Sequence, residues 1–214
     1  MAICVIRSSK QLGMGFVLTP ERYNPKRRML IHSEESIFIS EIIELSNEIL
    51  TTKQAKGISV IQINTSDAMG GYLNTNSERT DSINSNKKIL RKGDVIISRL
   101  RPYLRQVAYV DIETENEILG ASTEFYVLRS RDKESIAYLV PFLLSEAAQL
   151  VFANSVEGSQ HPRFKEEDIL NLQIPMSVYH DRDKISLQVI SAIASYRTYE
   201  RLIADEVSKM NKAM

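Results

Sequence analysis

From residue 181 to the end, the chain contains neither proline nor glycine. Apolar side chains recur there at four-three spacing, at Ile185, Val189, Ala192, Tyr196, Tyr199, Ile203 and Met210, with Glu206 the exception. Such a repeat predicts one long helix with a heptad-like seam. An amphipathic helix alone in water leaves that stripe exposed. Residues 181–214 are therefore read as a dimerisation helix that docks against a partner helix.

The body that precedes the helix is organised around residues 91–110, RKGDVIISRLRPYLRQVAYV. Lys92, Gly93 and Asp94 are a turn signal, and they lead into the run Val95-Ile96-Ile97. A short β-branched run bounded by a turn reads as a strand buried on both faces. After Ser98 come Arg99, Arg101 and Arg105, with Pro102 breaking any regular ladder and Tyr103 among the charges. A returning strand follows over 106–110. Guanidinium groups on a rigid hairpin suit phosphate or the edge of guanine, because Arg presents a planar fork of donors. A solvated basic hairpin tip is the other reading of these residues.

Flanking segments fill in a mixed α and β pattern. Residues 1–34 carry a basic cluster, Arg22, Lys26, Arg27 and Arg28 around Tyr23, with Pro20 and Pro25 preventing a long helix; this lead-in reads as an exposed arm. Ile37, Ile39, Ile42, Ile43 and Leu45 alternate with glutamates and suit a strand or a short helix. Residues 58–63 read as a strand. Residues 64–86 are polar and form a long loop with a short hairpin at Gly71-Tyr72-Leu73; Asn64, Asn74 and Asn76 there offer amides either to turn chemistry or to base edges. Another strand is expected around Phe125 and Val127, behind Gly120-Ala121-Ser122. A helix over 136–152 has Leu139, Leu143, Ala147, Leu150 and Val151 on one stripe, with a kink or a start near Pro141. A loop over 154–164, a short helix over 165–172 and an edge strand at Gln173-Ile174-Pro175 complete the body.

Bulk composition excludes several classes. With 214 residues there is room for one or two domains and a sizeable core. Lys plus Arg and Asp plus Glu are equal at 27 each, so affinity for a polyanion has to come from local patches. Cys4 is the sole cysteine, which excludes an internal disulfide framework or a multi-cysteine zinc site. No apolar run approaches a membrane span, and a cytoplasmic protein is expected. His32, His161 and His180 are scattered without metal spacing. Asp111, Glu113 and Glu115 cluster in sequence without a neighbouring lysine and read as a solvated acidic turn. There is no Gly-x-Ser-x-Gly elbow. A metal-dependent nuclease and a protein-interaction module using only the C-terminal helix remain as competing classes.

The segments RKGDVIISRLRPYLRQVAYV, GASTEFYVLR and GSQHPRFKEEDILNLQIP, in this order and spacing, resemble the target-recognition domain of specificity subunits of Type I restriction–modification systems. FISEI at 38–42 resembles the start of that domain, and MGFVLTPERYNPKRR resembles the lead-in of one branch. The resemblance implies an α+β fold: a recognition domain over 35–180 with a mixed, partly barrel-like sheet and small helices, then one long coiled-coil-type helix. It implies recognition of double-stranded DNA without catalysis, in company with methyltransferase and restriction subunits. S-adenosylmethionine is expected on the methyltransferase partner only; this chain has no Asn/Asp-Pro-Pro-aromatic sequence and no Gly-rich cofactor loop. Lys92, Gly93, Asp94 and Gly158 would shape turns. Arg99, Arg101, Tyr103, Arg105, Ser159 and Arg163 would face DNA, with Asn74 and Asn76 as further candidates. Family members usually hold two recognition domains and two helices. One of each here implies a homodimer or a second specificity chain.

Overall fold

The acidic, isoleucine-rich segment after residue 34 uses both of its expected conformations in turn: strand β1 (Ser36–Phe38), helix α1 (Ile39–Ile42) and strand β2 (Ile43–Ser46). Glu41 starts the helix by accepting the Phe38 amide at 3.0 Å, and Ile39 and Ile42 bury its inner face. The computed structural model describes residues 35–74, 79–156 and 160–213, all within the unit Ser33–Met214. The basic lead-in over 1–34 lies outside the described residues, as do Asn76, Gly158, Ser159 and Met214.

Ten short strands follow: β3 (Ile49–Leu50), β4 (Val60–Ile63), β5 (Ala68–Met69), β6 (Gly71–Leu73), β7 (Arg79–Thr80), β8 (Lys87–Leu90), β9 (Val95–Ser98), β10 (Val107–Tyr109), β11 (Ile118–Ala121) and β12 (Phe125–Ser130). They form a six-stranded sheet, β2-β12-β9-β10-β6-β5, and a five-stranded sheet, β3-β8-β11-β4-β7. Both are mixed, because β10 runs parallel to β6 and β11 parallel to β4. One apolar cluster joins them: Ile61, Ile63, Leu90 and Leu119 from the smaller sheet meet Leu73, Ile96, Phe125 and Val127 from the larger. Each such side chain contributes about 1.5–3 kcal/mol when fully buried, so this layer holds the two sheets together. Strand β9 is buried at all four positions, as its unbroken apolar run predicts.

Two readings are refined by the sheets. The region around 118–128 is two strands, not one. Ser122 turns the chain from the smaller sheet to the larger, and its carbonyl accepts the Phe125 amide at 3.1 Å. Gly120 permits the approach: a Cβ there would lie 2.8 Å from Val60 Cγ1. The polar stretch 64–86 contains the β5–β6 hairpin and the pairing of β7 with β4. Strand β8 gives no apolar signal because it begins with two lysines, yet Lys87 and Lys88 are each only 8% exposed.

Helices α2 (Leu139–Leu144) and α3 (Glu146–Ser155) divide the expected single helix. Pro141 is the third residue of α2, in the first turn, where a missing N–H breaks no intrahelical bond. The break falls at Ser145 instead, whose hydroxyl caps α3 by accepting the Ala148 amide at 3.3 Å. Helix α4 (Glu166–Leu170) leads to β13 (Gln173–Pro175), which pairs with β1 as a separate two-stranded ribbon. Helix α5 (Met176–His180) then hands over to α6 (Arg182–Ala213).

The first half of α6 is fastened to the body. The Ser186 hydroxyl accepts the Tyr138 amide at 3.2 Å. Arg197 donates to both oxygens of Asp111, at 2.8 and 2.9 Å, and to the Leu73 carbonyl at 2.7 Å. The rings of Tyr196 and Tyr72 lie 4.1 Å apart. The expected seam therefore divides: Ile185, Val189 and Tyr196 are half-buried, whereas Ala192, Tyr199, Ile203 and Met210 are exposed. Arg197 was not among the expected seam residues, because a charged residue breaks the apolar repeat; its bidentate ion pair is what holds that turn of helix down.

Candidate nucleic-acid interface

Strand β9 delivers the chain to a loop with little freedom. The Ser98 amide donates to the Gln106 carbonyl and the Arg99 amide to the Glu124 carbonyl, both at 2.9 Å. A 3-10 turn over Pro102–Leu104 is flanked by two residues in the left-handed region, Arg101 at φ 50° and Arg105 at φ 51°. Non-glycine residues adopt this conformation at a cost of about 1–2 kcal/mol, and the surrounding bonds hold them there. The loop is tied to residues 161–164: the Arg101 amide donates to the Pro162 carbonyl at 2.9 Å, the Phe164 amide to the Arg99 carbonyl at 3.3 Å, and Leu100 bridges Arg163. At the tip Tyr103 is 66% exposed, beside exposed Leu104 and Arg105 and half-buried Arg101.

Arg99 and Arg163, far apart in sequence, converge on one carboxylate. Glu124 Oε2 accepts Arg99 Nε at 3.0 Å and Arg163 Nε at 2.9 Å, while Oε1 accepts Arg163 Nη2 at 2.6 Å. The Arg163 guanidinium, with that of Arg99 behind it, holds the Glu124 carboxyl below the usual carboxylate range against the opposing effect of burial. The trio carries a net single positive charge and welds three loops together. Sequence reasoning missed Glu124 because nothing in GASTEFYVLR marks that glutamate as the partner of arginines 25 and 39 residues away.

The remaining expected residues are placed as follows. Gly93 takes φ +97°, open only to glycine without strain. Asp94, with its side chain 2% exposed, accepts the Arg91 amide at 2.8 Å and forms a bidentate pair with Arg129. Lys92 is exposed and pairs with Glu113 at 2.9 Å, so a lysine does reach the acidic turn in space; Asp111, however, belongs to Arg197. Asn74 is not on the Arg99–Arg105 loop. It follows β6, and its amide donates to the Asp67 carbonyl at 2.8 Å. Among the described residues no cluster of His, Cys, Asp or Glu is arranged to hold a metal ion, and no helix is long and apolar enough to cross a membrane.

Two facing mixed sheets with small helices, followed by one long C-terminal helix, make up the fold of a type I specificity-subunit half. One similar solved chain comes from work on complex assembly and conformational transition of the type I R-M system: TM-score 0.58, 22% identity, covering 80% of this chain and 45% of that one. The HsdS subunit from Thermoanaerobacter tengcongensis matches at TM-score 0.54 and 20% identity over the same shares. At these identities the likeness is one of fold, and the chain spans less than half the length of either counterpart. No protein-family model and no curated protein matches the chain.

Proposed function

We propose that this chain is a specificity subunit or half-subunit of a type I R-M system, reading a specific sequence in double-stranded DNA and directing methyltransferase and restriction subunits to it. Residues 35–180 are the reader in this proposal, residues 181–214 the spacer and dimerisation helix, and catalysis with its S-adenosylmethionine belongs to the methyltransferase partner. The observation that carries the reading is the rigid tip of exposed Tyr103 and Arg105 with half-buried Arg101, set on a fully buried strand within an HsdS-like fold. Arginines on a preorganised loop bind phosphate and guanine edges with little entropy left to lose. Arg99 and Arg163 stiffen the base of the tip; Arg163 Nη1 also donates to the His161 carbonyl at 3.1 Å, while Arg99 engages Glu124 through Nε and offers its terminal nitrogens. Lys92, Gly93 and Asp94 shape the turn that aims β9.

Selection from a random duplex library, with the chain alone and with a type I methyltransferase subunit, tests this. The expected outcome is enrichment of a motif of a few base pairs, bound with affinity that falls steeply with salt. Recovery of no motif in either arm rejects the reading. The exposed apolar residues at the end of α6 favour one second reading, a protein-interaction module. Association that is indifferent to salt and to DNA selects that reading.

A further inference from the structure

We propose that Lys88 and Arg99, which face the same Tyr126 ring, form a phosphate subsite. It rests on the reading above, which makes its occupant a backbone phosphate of bound DNA. The Lys88 ammonium lies 5.6 Å and the Arg99 guanidinium 6.0 Å from the Tyr126 ring centroid. The ring is fixed from behind, because its hydroxyl donates to the Phe164 carbonyl at 3.1 Å. Lys88 lies on β8, and its backbone pairs with Ala121 and Ile49, so its stem is anchored.

The two cations near this ring repel each other through space, and an anion held by both would offset that repulsion. The acidic neighbours do not play that part. Glu124 is engaged by Arg163 and by Arg99 Nε, which leaves the two terminal nitrogens of Arg99 outside that pair. Glu166 attracts the Lys88 ammonium through its charge alone, without a hydrogen bond to it. Burial pushes the ammonium below the ordinary lysine value; Glu166 opposes this and Arg99 adds to it. Lys88 is 8% exposed overall, and its ammonium is not fully sealed. Among the described residues, Tyr138 Oη is the one side-chain polar atom both fully buried and without a hydrogen bond, so the unpaired Lys88 tip retains contact with water. A buried stem whose cationic tip still reaches water holds a lysine charge in place with little entropy left to lose on binding. The subsite adjoins the basic tip, since Arg99 begins that loop.

The test compares wild type, Lys88→Met and Lys88→Arg. The first arm measures affinity for a duplex recovered by selection, from 0.05 to 0.3 M salt. The second titrates inorganic phosphate at fixed ionic strength and follows the lysine side-chain NMR signals. Losing one phosphate contact is expected to flatten the salt slope by about 0.9 and to weaken binding about five-fold at 0.15 M salt. Lys88→Arg is expected to restore both, and Lys88→Met to melt no lower than wild type. If wild type binds the duplex and Lys88→Met keeps its slope, the subsite is overturned and DNA reading stands. If wild type binds no duplex yet phosphate moves the Lys88 signal, the anion subsite stands and DNA reading falls. Silence in both arms overturns both.

Discussion

Asp94 and Arg129 meet through two parallel hydrogen bonds, Nε to Oδ1 at 2.9 Å and Nη2 to Oδ2 at 2.8 Å, with the Asp94 side chain 2% and the Arg129 side chain 16% exposed. The pair locks the turn before β9 to β12, the neighbouring strand in the larger sheet. Removing one member of a buried pair leaves the other charge uncompensated, at a cost of about 3–5 kcal/mol. Asp94→Ala is expected to lose about 3 kcal/mol in urea unfolding, the lower end, because Arg129 keeps some contact with water and an ion pair with Glu48 at 3.4 Å. A loss below about 1 kcal/mol contradicts a buried pair.

Stability and binding separate at the tip. Arg105 holds φ 51° with its side chain exposed. Arg105→Gly removes the left-handed strain while adding backbone freedom to the unfolded chain. The net effect on stability is expected to lie between zero and a gain of about 1 kcal/mol. DNA affinity is expected to fall, with the salt slope flatter by about one unit if Arg105 contacts a phosphate. Arg99→Ala is the poorer probe, because it also breaks the ion pair with Glu124. An Arg105→Gly protein that binds like wild type at every salt concentration removes the tip from the interface.

Glu124 predicts an acid-sensitive interface. Its carboxyl is held below the ordinary value of 4.5 in the folded chain, so the unfolded state takes up protons first as pH falls. The stabilisation is therefore fully present above about pH 4.5 and is lost as pH falls through the folded value. Glu124→Gln is expected to cost about 1.5–3 kcal/mol at pH 7, the range for charge-assisted hydrogen bonds, and progressively less toward pH 3. Freed of its carboxylate, the Arg99–Arg163 pair is also expected to steepen the salt slope of DNA binding. A wild-type minus variant difference that stays flat from pH 7 to pH 3 contradicts this role.

Tyr138 offers a prediction of opposite sign. Its ring is 1% exposed, its hydroxyl has no hydrogen-bond partner, and burial pushes its ionisation up. An unsatisfied buried hydroxyl costs roughly 1–3 kcal/mol. Tyr138→Phe is expected to leave stability unchanged or raise it by about 1 kcal/mol in thermal unfolding. A clear loss shows that the hydroxyl is satisfied in solution.

What was legible in the sequence is what local chemistry dictates. The run Val95-Ile96-Ile97 could bury nowhere but in a sheet, and a Pro- and Gly-free amphipathic tail could only be a helix. Lys87 and Lys88 hid β8, because cross-strand neighbours and not hydropathy decide whether a lysine stem is covered. The cationic residues of the candidate interface were visible as residue types, but their pairing was not. Arg99 with Glu124, Arg129 with Asp94 and Arg197 with Asp111 are all tertiary contacts, and no spacing rule within one element announces them. The same cause divided the C-terminal seam: Arg197 fastens the first half of α6, while the apolar repeat continues past it without a break.

That division sharpens what is expected of α6 as an interface. The exposed residues Tyr199, Leu202, Ile203, Val207 and Met210 lie on one stripe, each at least 50% exposed, whereas Val189 and Tyr196 are half-buried and would report on the fold as well as on association. A self-complementary pairing of two copies through this stripe is isologous, and an antiparallel pair would place one reader at each end. The helix of 32 residues measures about 48 Å at about 1.5 Å per residue. Pairing centred on the exposed stripe, between Tyr199 and Met210, would put the two Arg197 clamps only roughly 22 Å apart along the axis by the same rise, inside one duplex turn of roughly 34–36 Å. Two copies so arranged would read an inverted repeat with an unread spacer. Sedimentation equilibrium at micromolar concentration is expected to give twice the 24.4 kDa chain mass for wild type. The double variant Ile203→Glu, Met210→Lys is expected to run as one chain with unchanged thermal unfolding, because neither residue is buried in the body. A wild-type mass of one chain rejects the dimer, and a dimer that survives the double variant rejects this stripe as its interface.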